Sequence, residues 1–271
     1  MARPLWFVTL LKKTFPNLKL IAKLTNLPIL SYIFDYLLFK GDNLIYLPLD
    51  RSIEVNKSLG EYNEIVLPSQ VTKYFIKKAK HHWIMDFCIC RSSMKCEHYP
   101  INLGCLFLGE AVLGINPQLG RLVTKDEALA HLKKCEEARL IHLIGRNKLD
   151  AQWLGVKPEE KLLSICNCDP CCCLWRIIPT ITPKISHKIK KMAGVDVKVT
   201  DRCKGCGICT KGSCFVDAIH LINKKAFITK ECRGCGRCVN ICPHKAIELI
   251  INDDRYVKKT IKKISEVIDI T

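Results

Sequence analysis

Hydrophobic positions in this chain recur mainly at helical spacing. Thr124-Lys-Asp-Glu127 reads as a capping box, and Ala128, Leu132 and Cys135 then fall on one stripe of the helix that follows. Cys135 is read there as a core residue, because an unpaired cysteine buries readily. Ser69 can cap a helix running to about His82, with Val71, Phe75 and Ala79 on one face. His81 and His82 fall at its end and read as surface residues. "PILSYIFDYLLF", residues 28–39, has proline in the first turn and Gly41 just past its end, and "NLIYLPL" after it reads as extended. Residues 1–40 form a basic amphipathic helical segment. Residues 181–194, "ITPKISHKIKKMAG", are basic with little core character and read as a linker between an upstream domain (41–180) and a C-terminal one (195–250). Residues 251–271 read as a closing helix.

Composition narrows this picture. A chain of 271 residues is long enough for a real core and two domains. Its 18 cysteines would suggest a disulfide scaffold in a short secreted protein. The start does not read as a signal peptide, since lysines and a proline break its apolar run. The uncharged stretch from Leu24 to Phe34 is too short to span a bilayer. The expected setting is a reducing cytoplasm, where clustered cysteines usually bind metal. No Walker loop, G-x-G-x-x-G or G-x-S-x-G is present, which leaves nucleotide-fold and hydrolase readings without support.

Two cysteine runs carry the strongest signal. "DRCKGCGICTKGSCF" supplies Cys203, Cys206, Cys209 and Cys214, and "ECRGCGRCVNICP" supplies Cys232, Cys235, Cys238 and Cys242. The second is C-x2-C-x2-C-x3-C-P, and the first differs by one residue in its last gap. Each half ends in an Ala-Ile step, Ala218-Ile219 and Ala246-Ile247. Three thiolates at this spacing wrap one face of an iron–sulfur cube. Gly205, Gly207, Gly234 and Gly236 let backbone amides turn towards it without a Cβ clash. In this pattern the fourth ligand comes from the other half. One 4Fe–4S cluster then takes Cys203, Cys206, Cys209 and Cys242, and the second takes Cys232, Cys235, Cys238 and Cys214. The alternative is zinc in two four-cysteine sites, but zinc modules usually show separated C-x2-C pairs. The region resembles bacterial-type ferredoxins with two 4Fe–4S clusters over about 55 residues. Phe215 stands where proline often follows the fourth cysteine.

"SICNCDPCCCLWR", residues 164–176, holds five more cysteines. Cys166 and Cys168 are two apart, so an extended backbone points both thiols to one side. Asp169-Pro170 reads as an N-cap with proline in the first helical turn, which puts Cys171, Cys172 and Cys173 where helix amides favour thiolate. Consecutive helical residues fan out by about 100° each, so at least one of the three is expected not to be a ligand. Upstream, "CICRSSMKCEHYPINLGC" supplies Cys88, Cys90, Cys96 and Cys105, with Arg91 placed to ease deprotonation. His98 is the one histidine kept as a candidate ligand. The candidate N-terminal ligands are Cys88, Cys90, Cys96, Cys105, Cys166, Cys168, Cys171 and Cys172. They could form one cluster, one per group, or simply buried and redox-active thiols.

Taken together, "WIMDFCICRSSMKCEHYPINLGCLFLGEA", "HLIGRNKLD" and "LLSICNCDPCCCLWR", followed by the cysteine repeat, resemble a group of 4Fe–4S dicluster-domain proteins of anaerobic archaea and bacteria. The resemblance covers roughly residues 40–250 and brings no reaction with it. The fold class that follows is α+β: a mainly helical, cysteine-rich N-terminal domain, then a bacterial-type ferredoxin domain of βαββαβ-like layout.

The formal charge of +17 is lowered by bound clusters. Two oxidised cubes with their thiolates would leave it near about +13. A basic holoprotein suits an acidic redox partner protein, or a membrane surface met by residues 1–40. The absence of an aromatic-laced RNA motif or helix-turn-helix argues against nucleic acid. The function expected is electron transfer through the two ferredoxin-type clusters to or from a further N-terminal site of one or two clusters. The alternative is an iron–sulfur oxidoreductase or maturation factor whose N-terminal cluster does the chemistry.

Overall fold

A computed structural model describes residues 2–57 and 66–271, with side chains for 2–53 and 66–271. The fold is mixed α+β, and the upstream region combines its helices with a sheet. It is built on seven strands: β1 Asn43–Tyr46, β2 His82–Met85, β3 Leu106–Leu108, β4 Gly120–Val123, β5 Ile141–Arg146, β6 Leu163–Cys168 and β7 Ile189–Lys191. Their order is β4-β2-β3-β6-β5-β1-β7, and every pair is antiparallel except β1 with β7. These strands have three to six residues, and β2, β3 and β6 are buried along their whole length. A short strand covered on both faces carries little alternation, which is why helical periodicity dominated the sequence.

The segment expected as a linker is part of this sheet. Ile189–Lys191 runs beside β1 as its parallel edge strand, with Leu44 opposite Ile189. The helix from Ser69 stops at Lys78, so His82 and Trp83 lie in β2.

Strand alternation sorts the core into two layers. Ile45, Ile84, Leu106, Ile144 and Ile165 face one side, where Val71, Phe75 and Ile76 of helix Ser69–Lys78 and Ala128 and Leu132 of helix Lys125–Glu137 cover them. The second helix begins with the expected capping box: Thr124 and Glu127 exchange hydrogen bonds, the Thr124 N–H donating to Glu127 Oε2 at 2.8 Å. The opposite side presents Leu44, Tyr46, Leu143, Cys166 and Cys168, together with Trp83, Met85 and Phe107. Over it lie the N-terminal helices Leu5–Thr14 and Leu18–Leu24, through Val8 and Ala22, and helix Lys148–Leu154.

The C-terminal region contains two small antiparallel ribbons. β8 (Val195–Val199) pairs with β11 (Ile247–Ile251), and β9 (Ile219–Ile222) pairs with β10 (Lys225–Ile228). Helix Tyr256–Ser265 then returns to pack against Ser69–Lys78. Its Tyr256, Val257 and Ile264 share one buried cluster with Leu47, Val71, Val195 and Val239, so a single apolar core runs through both regions. Two polar contacts fix the junction: the Leu49 N–H donates to the Cys235 carbonyl at 3.1 Å, and Ser52 Oγ donates to the Gly236 carbonyl at 3.1 Å. Gly236 has φ +74°, and a Cβ there would collide with Ser52, so both backbone shape and docking require glycine.

Candidate metal centres

The eight C-terminal cysteines fall into two sets. Cys203, Cys206, Cys209 and Cys242 line one pocket, and Cys214, Cys232, Cys235 and Cys238 line another. Each set therefore combines three thiols from one half of the repeat with the fourth from the other. Gly205, Gly207, Gly234 and Gly236 all have φ between +66° and +74°, which turns amides towards sulfur. Gly234 N–H donates to Cys232 Sγ at 3.4 Å. The repeated alanines have the same task in both halves: Ala218 N–H donates to Cys214 Sγ and Ala246 N–H to Cys242 Sγ, each at 3.3 Å. Hydrogen bonds of this kind favour the thiolate. Those from Ala226 and Gly205 lower the Cys203 thiol pKa. The sets differ in exposure. Cys206 is exposed, whereas burial pushes Cys235 up to about 12 and Cys238 well up.

The ten upstream cysteines do not form one group. Cys135 is fully buried in the helix core, where burial pushes its thiol up, and it belongs to neither site. Six others line one cavity of about 120 Å³: Cys88, Cys90, Cys105, Cys166, Cys168 and Cys173. Antiparallel pairing explains how they meet. The C-terminal end of β2, the start of β3 and the C-terminal end of β6 lie side by side, with Met85 N–H donating to the Cys105 carbonyl at 3.0 Å. Cys88 and Cys90 follow β2, Cys105 precedes β3, and Cys166 and Cys168 share one face of β6. Asn167 between them points away, accepting from His142 Nδ1 at 2.9 Å and donating to the Gly104 carbonyl at 2.8 Å.

Thiol contacts pair Cys88 with Cys90, Cys105 with Cys166 and Cys168 with Cys173. The contact with the Cys90 thiol lowers the Cys88 thiol pKa, against burial, while Cys90 itself is pushed up. Cys166 and Cys168 are likewise pushed up, by their thiol contacts and by burial. Metal loading of this cavity must therefore release protons. The N-terminal segment closes the cavity with Leu11, Thr14, Phe15 and Leu18, while Trp153 and Trp175 complete its apolar wall. Asp150 also lines it, accepting from Trp153 Nε1 at 2.9 Å and Asn147 Nδ2 at 2.7 Å, and burial pushes its carboxyl up.

The dense run divides differently from the expectation. Asp169 caps a turn, accepting from the N–H groups of Cys171 at 3.0 Å and Cys172 at 2.6 Å, but no α-helix follows; a 3₁₀ segment starts at Leu174. The tighter turn sends Cys173 into the cavity with Cys166 and Cys168, and sends Cys171 and Cys172 outward to Cys96. Cys96 Sγ lies 3.5 Å from Cys171 Sγ, which lies 3.4 Å from Cys172 Sγ. With Asp169 these form the one set of three or more ligand-type groups gathered within 4.8 Å among the described residues. His98 is exposed and outside that set. Asp150 and Asp169 were not among the ligands expected from the sequence, and Cys173 was weighed with Cys171 and Cys172 but not chosen. Cys173 could have been found only by reading the Asp-Pro step as a turn.

Arg91 ties both groups together. Completely buried, it pairs with buried Asp169 at 3.2 Å and donates to the carbonyls of Asn167 and Pro100, each at 2.8 Å, and of Leu103. Arg91→Met would leave the buried Asp169 charge without its cationic partner, a loss of about 3–5 kcal/mol. Urea unfolding under anaerobic conditions is expected to show that loss. A midpoint within error of the parent's would mean that the carboxylate finds another partner.

A family model of the LdpA Fe–S cluster-binding domain matches residues 211–252, a span that holds Cys214, Cys232, Cys235, Cys238 and Cys242. It identifies an iron–sulfur cluster-binding domain at the C-terminal end. No curated protein and no solved structure matches the chain.

Proposed function

We propose that this protein relays low-potential electrons, with two ferredoxin-type 4Fe–4S clusters in its C-terminal domain serving a further iron–sulfur site in the six-cysteine cavity. The supporting observation is the position of Tyr46. Fully buried on β1, it has its phenol pushed well up by burial and by the nearby Cys168, Cys173, Cys166 and Cys235 thiols, which belong to both sites. Its ring packs 4.7 Å from Phe215, next to Cys214. Phe215 thus fills the contact between the half-buried Cys214 set and the upstream cavity, and Cys166, Cys168, Cys173, Tyr46 and Phe215 share one apolar cluster against which Cys214, Cys232 and Cys235 pack. One-electron exchange is the chemistry that clusters supply. The chain supplies an exposed approach at Cys206, a half-buried set beside Tyr46, and a mostly apolar cavity beyond. Arg202, Lys204, Lys211 and Arg237 flank the cysteine loops and suit an acidic partner, with association weakening as salt rises, whereas Arg233 is buried and donates to the Glu231 carbonyl.

The test uses a reduced acidic protein donor too large to enter the cavity. Cys206→Ser is expected to slow reduction of the upstream site by roughly an order of magnitude while its own signal survives. Equal rates would mean that the two domains work separately.

A second reading, an iron–sulfur oxidoreductase or maturation factor, draws on one observation. The cavity holds six thiols where a cubane uses four, beside a carboxyl that burial pushes up. A shift of the upstream EPR signal on adding cyanide would favour it.

A further inference from the structure

We infer that Cys96, Cys171 and Cys172 bind a single zinc ion, separate from every iron–sulfur site, with Asp169 at its edge. The sulfur spacing carries this. Tetrahedral zinc with Zn–S bonds of about 2.3 Å sets its thiolates about 3.8 Å apart. A cubane places a whole cube of iron and sulfide between its ligands and holds the sulfurs about 6 Å apart. The distances here are 3.5 Å for Cys96 to Cys171 and 3.4 Å for Cys171 to Cys172. They also exceed by far the bond length of about 2.05 Å that a disulfide requires. The other cysteine groups behave differently. Neither C-terminal set, nor any three of the six cavity thiols, comes within the 4.8 Å that encloses this one. One kind of site in this chain is spread around a space, and this kind converges on a point.

The surroundings fit a thiophilic cation. Three thiolates with zinc carry net negative charge, and Arg91 lies behind Asp169, bound to Oδ2 at 3.2 Å, while Oδ1 faces Cys171 Sγ at 3.1 Å. A carboxylate so held is oriented from behind, as zinc ligands usually are. Asp169 Oδ1 already accepts two backbone N–H groups, so the three sulfurs do most of the holding and the oxygen completes the fourth corner. Cys96 and Cys171 are 75 residues apart in sequence. An ion there would clasp the loop that carries Cys88 and Cys90 to the turn that carries Cys173, without taking part in electron flow. This inference does not depend on the electron-transfer reading.

The test is metal analysis of the intact holoprotein, purified anaerobically and desalted. About one zinc per chain is expected, with zinc K-edge absorption giving about three sulfurs at about 2.3 Å and a lighter fourth donor. Cys96→Ala and Cys171→Ala should each cut zinc at least tenfold and leave iron and sulfide unchanged, the unchanged iron serving as the control for folding. Absence of zinc from the parent, zinc retained in both variants, or an oxygen-and-nitrogen shell at the edge would overturn the assignment. So would iron falling in steps of four in both variants, because the thiols would then belong to a cluster. The absorption measurement on the parent decides the matter even if a variant fails to fold.

Discussion

Anaerobically reconstituted protein is expected to hold about twelve irons per chain, since two cubanes account for about eight and the six-cysteine cavity has thiols for at least one more. Replacing both Cys166 and Cys168 by serine should remove about four irons and matching sulfide, with the C-terminal signals intact. The double replacement matters, because Cys105 and Cys173 each touch one of the pair and a single lost thiol leaves five others around the cavity. Cys173→Ala should also disturb the upstream signal, whereas Cys171→Ala should leave it unchanged. Iron that plateaus at eight in the parent, with sulfide to match, would remove the upstream cluster. Iron lost from Cys171→Ala but not from Cys173→Ala would reverse the division of the dense run.

That division shows where sequence reading reaches its limit. The C-x2-C-x2-C runs are local devices whose spacing marks two triplets, and the ferredoxin pattern they resemble assigned each its fourth cysteine from the other half. Cys166 and Cys168 were equally legible, because alternation along a strand is a two-residue rule. The remainder depends on distant partners. Cys88 and Cys96 lie on one loop yet go to different sites, and only the pairing of β2, β3 and β6 decides which thiol faces which. Asp169-Pro170 carries the residues of a helix start, but the chain makes a turn and then a 3₁₀ segment, which changes which cysteine faces inward. β7 hid inside a basic stretch for a related reason. An edge strand of three residues with one buried side chain leaves almost no pattern, and Lys190 and Lys191 are simply its exposed positions.

Vesicles rich in anionic lipid should carry this protein upward in a flotation gradient at low salt, and neutral vesicles should not. No helix among the described residues is long and apolar enough to cross a membrane. The segment packs on the sheet of the upstream region, but only one side of it is used. Val8 and Ala22 are buried, and Leu11 and Leu18 line the cavity. Trp6 at 67 %, Leu20 at 65 % and Ile29 at 76 % stand in solvent. Twelve of the twenty-two large apolar side chains exposed among the described residues fall within residues 5–37, a concentration far beyond scattered surface leucines. Arg3, Lys12, Lys13, Lys19, Lys23 and Lys40 face a single acid, Asp35, which is already paired with Lys184 and Lys188. Each basic residue near an anionic surface contributes about 1 kcal/mol, and exposed tryptophan, tyrosine and leucine supply the apolar half of an interfacial helix. Deleting the segment would open the cysteine cavity, so the informative variant is Trp6→Glu with Leu20→Glu and Ile29→Glu, all at exposed positions. It should lose vesicle binding by more than tenfold while keeping its iron. Parent protein that stays at the bottom of the gradient, or a triple variant that floats equally well, would assign this face to a protein partner instead.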